Sequence, residues 1–154
     1  TIGAIGDTAI ALKLAATKAI ASSGQVIMAG GILDPDGLHQ DMSSNTTLSL
    51  TTSSTFDFGA GAAEIDFKDS HGIAWTGGQI LNLTNWNFSH DSMRFGTTSS
   101  GLTSNQLAEI EFNNDPNTLG KAYLNAQGYL VPEPASGLML LVGSSLLAAR
   151  RRRA

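Results

Sequence analysis

The side chains able to do chemistry are three histidines, 13 carboxylates and many hydroxyls, with no cysteine. Asp69, Ser70 and His71 carry the residue types of a hydrolytic triad. Neighbours along an extended strand point to opposite faces, however, and triads are assembled from separated segments, so no catalysis is expected there. His39, His71 and His90 lack the paired spacing of metal ligands and read as surface or turn histidines. Asp34, Asp36 and Asp41 offer the hard oxygens that calcium prefers, but their spacing fails the twelve-residue calcium loop and they read as a solvated turn. Glu64 with Asp66, and Glu109 with Glu111, are pairs on one strand face, opposite Ile65/Phe67 and Ile110/Phe112. Trp75, Trp86, Phe88 and Tyr123 would form either a sugar-stacking platform or part of the core; a small β core needs large side chains, which favours the core. Asn45, Asn82 and Asn87 open Asn-x-Ser/Thr triplets and read as turn and ladder asparagines. The lack of cysteine removes disulfides, thiolate metal sites and thiol nucleophiles, and no cofactor signature is present.

The elements that must position these groups are short strands. Leu48/Leu50, Phe56/Phe58, Ile65/Phe67, Leu81/Leu83, Met93/Phe95 and Ile110/Phe112 are apolar pairs at spacing two. Turn signals separate them: Asp34-Pro35-Asp36-Gly37, Gly59-Ala60-Gly61, His71-Gly72, Gly77-Gly78 and Asn113-Asn114-Asp115-Pro116. Between Ser43 and Thr55, 10 of 13 residues are Ser or Thr, whose hydroxyls suit ladders. One helical turn is expected where Thr103 and Gln106 form a capping box. Strands that each bury one or two residues need neighbours. The fold class is therefore all-β: a short right-handed β-solenoid or β-helix-like stack, with a β-sandwich as the alternative.

A chain of 154 residues accommodates one such domain and excludes two large ones. Three segments are expected: an N-terminal piece (1–23), a β-rich extracellular domain (24–130) and a C-terminal tail (131–154). Residues 8–21 read as a short helix or the edge of a β-layer. The chain opens on Thr1, and Lys13 interrupts its first apolar stretch with no basic region ahead of it, so it reads as a fragment or an already processed chain.

Charge is sparse and unevenly placed. Only 14% of residues are charged, against a usual share of about 25%. Arg150, Arg151, Arg152 and Arg153 supply four of the nine cations, leaving an acidic body unsuited to nucleic acid. Before them, Ala135 to Ala149 is uncharged. As a helix, that stretch would reach about 22 Å against a hydrocarbon thickness of about 30 Å, so a transmembrane helix here needs arginine snorkelling or local thinning. The cationic end would stay in the cytoplasm and the body outside. Ahead of this stretch, Val131, Pro132, Glu133 and Pro134 place two prolines around one residue. Such a tetrad is expected to stay out of helices and sheet ladders, as an extended segment suited to a processing enzyme's cleft.

In that order, tetrad, apolar stretch and basic end, VPEPASGLMLLVGSSLLAARRRRA resembles the PEP-CTERM sorting signal of bacterial exported proteins, which is recognised by the membrane-embedded enzyme exosortase. The resemblance implies that Val131, Pro132, Glu133 and Pro134 are the sorting and cleavage motif, that residues 135–149 hold the precursor in the inner membrane, and that Arg150 to Arg153 orient it. It further implies cleavage near the tetrad and delivery to the cell surface or extracellular matrix. The body, from LSLTTSSTFDFGAGAAEIDF to LTSNQLAEIEF, is similar to exported proteins with autotransporter-associated β-strand repeats, which implies a β-helical stack. The expected function is that of a non-enzymatic surface or matrix protein, with no cofactor, exosortase as partner and extracellular polysaccharide as a further one. A secreted carbohydrate-binding module is the alternative.

Overall fold

The computed structural model describes residues 2–3, 11–20, 23–43 and 45–133. These form a β-solenoid of about four turns with three walls. One wall holds β1 (Ile2–Gly3), β3 (Gly24–Ala29) and β6 (Thr46–Thr52). The second stacks β2 (Ala11–Lys13), β4 (Ile32–Asp34), β7 (Ser54–Asp57), β9 (Leu81–Thr84) and β11 (Ile110–Phe112). The third stacks β5 (His39–Met42), β8 (Glu64–Phe67) and β10 (Ser92–Phe95). Every pairing within these walls is parallel, which is the coil and not the sandwich. Ala11–Lys13 settles as a strand at the edge of the second wall, the β-layer option for that stretch.

The walls repeat because the inner strands turn apolar side chains inward, while β5 turns in Gln40 beside Met42. All six pairs expected from the alternation are essentially inaccessible, from Leu48 and Leu50 to Ile110 and Phe112. Leu33, Phe56, Leu83 and Phe112 lie directly above one another in the second wall. In the third, Phe67 and Phe95 stack with centroids 5.5 Å apart and planes inclined by 14°. Burying each such side chain contributes about 1.5–3 kcal/mol, which a single four-residue strand could not collect without its neighbours.

The corners follow the turn chemistry. Asp36 and Gly37 both take positive φ (53° and 68°), and the Leu38 N–H donates to the Pro35 carbonyl at 3.0 Å, a tight type I′ reversal. Gly37 also touches the next coil, where a Cβ on Gly61 would lie 2.8 Å from its Cα. Asn113 and Asn114, both at φ 54°, make the corresponding turn after β11, and Pro116 opens a 3₁₀ turn, Pro116–Thr118, capped by Asp115. The expected helical turn is α1, Ser104–Leu107, with both halves of its capping box formed. It lies against the segment following β8, where the buried Gln106 amide donates to the carbonyls of Ser70 (3.0 Å) and Ile73 (2.8 Å). Gln40 does similar work at the other end: it accepts from the Ala19 N–H and donates to the Ala16 carbonyl, tying residues 16–19 to the coil.

The chain then reverses in an antiparallel pair, β12 (Ala122–Leu124) with β13 (Leu130–Pro132). Among the described residues no helix is long and apolar enough to cross a membrane. The expected membrane helix (135–149) lies outside the described residues, as do Pro134 and Arg150, Arg151, Arg152 and Arg153.

Candidate functional site

The β12–β13 hairpin carries the start of the tail. Its turn is organised by Asn125, whose side-chain oxygen accepts from the N–H groups of Gln127 (2.9 Å) and Tyr129 (3.0 Å), while Gly128, at φ 84°, donates to the Asn125 carbonyl at 3.0 Å. Ala122, Leu124 and Leu130 face inward and are buried. The Gly128 carbonyl accepts from the Phe95 N–H at 2.9 Å, which fastens the hairpin to β10. Tyr129 lies over the Arg94 guanidinium, 5.5 Å from carbon to ring centroid.

The tetrad departs here from the expectation that it stays out of a ladder. Val131 pairs with Tyr123 and Pro132 with Ala122, and the Glu133 N–H donates to the Lys121 carbonyl at 2.7 Å. In an antiparallel pair only alternate residues exchange hydrogen bonds. Since Glu133 bonds Lys121, Pro132 falls on a non-bonded position, where its missing N–H costs nothing. Val131 and Pro132 are half-buried and Glu133 is exposed.

Several of the remaining chemical groups make scaffold contacts. The Ser70 hydroxyl accepts from the Leu48 N–H and donates to the Lys68 carbonyl, both at 3.0 Å, while Asp69 accepts from the His71 N–H at 2.8 Å. Asp34 and Asp36 lie 3.5 and 2.7 Å from the Lys13 ammonium, whose pKa is raised chiefly by its hydrogen bond to Asp36. Asp41 instead accepts from the hydroxyl and N–H of Ser43, bonds that hold its carboxyl below the usual range. Among the described residues no cluster of three or more ligand-type side chains could hold a metal ion.

Glu64 and Asp66 share a face, as their spacing predicts, and the coil adds partners that spacing does not reveal. Parallel register sets His39 beside Glu64 and sets Asp41, Asp66 and Arg94 in one row. The His39 ring lies 3.5 Å from Glu64 and 3.3 Å from Asp66. The only signal for this row is the coil register itself, which the sequence conceals.

Of the four aromatics, Trp86 and Phe88 meet, with ring centroids 6.2 Å apart, and Trp75 and Tyr123 lie elsewhere. Trp86 is buried between Phe58 (4.6 Å) and Phe112 (5.5 Å), and the Trp75 indole donates to the Leu48 carbonyl at 3.2 Å on another wall. Tyr123 stands on the hairpin. Phe88, 62% exposed, borders a groove of about 630 Å³ together with Asn85, Trp86, Asn87, His90 and Asn113.

No curated protein and no solved structure matches the chain. A protein-family model described as the PEP-CTERM protein-sorting motif matches residues 130–153, beginning one residue ahead of Val131 and ending on Arg153, so that tetrad, apolar stretch and arginine run all fall within it.

Proposed function

We propose that this chain is an exported bacterial protein sorted and processed by exosortase, whose solenoid body serves as a non-enzymatic component of the cell surface or extracellular matrix. The match of residues 130–153 to the sorting motif carries the reading. In it, Val131 to Pro134 are read by the enzyme, residues 135–149 hold the precursor in the inner membrane, and Arg150 to Arg153 fix its orientation. A non-enzymatic body is supported by the commitment of Ser70, Asp69 and Gln106 to structural hydrogen bonds. A right-handed coil of the autotransporter-associated kind fits the parallel stack, right-handed crossovers being the norm. The test is to fuse residues 130–154 to an inert reporter. In a host with exosortase the reporter should move to the envelope; a reporter that stays with its untagged twin contradicts the proposal.

One observation favours the carbohydrate-binding alternative. In the groove at Phe88 an exposed ring adjoins asparagine side chains, and the buried Trp86 indole N–H has no acceptor among the described residues. An apolar sugar face on Phe88, with its hydroxyls toward the amides, suits that chemistry. Retention on immobilised neutral polysaccharide that is lost in Phe88→Ala supports it; a parent chain that retains none refutes it.

A further inference from the structure

The exposed apolar side chains are not scattered. Of the five large hydrophobics that stand exposed among the described residues, Leu119 (37%), Tyr123 (42%) and Tyr129 (36%) belong to the hairpin or its approach. Alternation along β12 and β13 explains why: Ala122, Leu124 and Leu130 are spent on the core, which leaves Lys121, Tyr123, Tyr129, Val131 and Glu133 on the opposite face. Apart from the exposed Glu133 carboxylate, this face of two tyrosines, a valine and a lysine has the chemistry of a membrane–water interface, where amphipathic rings sit at headgroup level and a lysine stem lies along apolar surface with its ammonium in water.

The tail supplies the geometry. The last described ladder bond, from Glu133 to Lys121, stands one residue, Pro134, ahead of the uncharged stretch that begins at Ala135. Two residue steps span at most about 7 Å. With residues 135–149 in the bilayer, the hairpin has no linker on which to stand away from it.

We infer that the outward face of the β12–β13 hairpin, centred on Tyr123 and Tyr129, is a membrane-seating surface that docks the folded body on the phospholipid interface before processing. This rests on the proposed sorting function. It adds that exosortase meets a tetrad whose first half is held in a strand against the body, at a fixed height above the hydrocarbon.

Because the chain has no cysteine, single-cysteine variants of the full chain can carry a polarity-sensitive fluorophore at chosen points. Three are reconstituted in phosphatidylethanolamine/phosphatidylglycerol nanodiscs: Lys121→Cys on the seating face, Ser144→Cys in the apolar stretch, and Gly72→Cys on an exposed turn elsewhere. Emission should shift to shorter wavelength at positions 121 and 144 and stay unchanged at 72, and adding Tyr123→Ser to Lys121→Cys should reduce its shift. A shift at 144 without one at 121 overturns the seating surface and leaves tail insertion standing. No shift at either overturns both. Equal shifts at 121 and 72 also overturn the seating surface, since contact would then not be confined to the hairpin.

Discussion

The Arg94 guanidinium grips the Asp66 carboxylate through two parallel hydrogen bonds, Nε to Oδ1 and Nη2 to Oδ2, each 2.9 Å long and joining residues 28 positions apart. A planar fork on a side chain that is 11% exposed is among the stronger polar contacts a protein can carry. It also ties the last two strands of the third wall together at the coil end that bears the hairpin. A double-mutant cycle with Asp66→Ala and Arg94→Ala should return a coupling of about 1.5–3 kcal/mol in urea unfolding. Additive single effects would mean that the pair contributes nothing to the stack.

Gln106 should prove more costly to remove than its place in a one-turn helix suggests. Gln106→Ala deletes half of the capping box, leaves the Ile73 carbonyl without its Gln106 donor and the Ser70 carbonyl with the Ile73 N–H alone, a loss of about 3 kcal/mol. Ser104→Ala, exposed on the same turn, should stay within about 0.5 kcal/mol of the parent. Equal effects in thermal unfolding would refute the role assigned to the buried amide.

Glycine substitutions should separate close backbone approach from open turns. A Cβ at Gly101 would collide with the Phe95 carbonyl oxygen, whereas one at Gly72 meets nothing within 4 Å. Gly101→Ala should therefore cost about 2 kcal/mol or more, and Gly72→Ala about 0.5 kcal/mol or less. Circular dichroism melts of the two variants check the contrast.

Acid should weaken the fold through two aspartates. Hydrogen bonds from Ser43 hold the Asp41 carboxyl low, and the N–H and side chain of Asn117 do the same for Asp115. A carboxyl depressed in the folded state stabilises above its unfolded pKa, about 3.9, and loses that contribution as pH falls through the lower folded value. Unfolding midpoints should thus fall below about pH 4, and the fall should be shallower in a variant carrying Asp41→Asn and Asp115→Asn. Parallel pH curves for parent and variant would contradict this assignment.

The strand content was legible because most inner strands bury apolar residues at spacing two, so Phe56/Phe58 and Ile65/Phe67 announce their inward faces without reference to any partner. The coil register was not. One turn runs from Leu33 to Phe56, 23 residues, and another from Leu83 to Phe112, 29 residues, and corners of unequal length erase the period that would reveal the solenoid. For the same reason nothing local joins His39 to Asp66 or Asp66 to Arg94. The tetrad shows a different limit. Its two prolines argue against a ladder because proline cannot donate, but a strand can absorb one at a non-bonded position, and whether Pro132 falls there depends on its pairing with Ala122. The Thr103/Gln106 capping box was readable; the reach of the Gln106 amide to Ser70 and Ile73 was not, since it crosses between coils.

Mass spectrometry of the chain's C-terminus, in otherwise identical cells with and without exosortase, decides whether the last two dozen residues are a processed sorting signal. A processed signal leaves a terminus near Pro134 in the first and an intact end extending through Arg153 in the second. Peptides reaching Arg153 in both would contradict it.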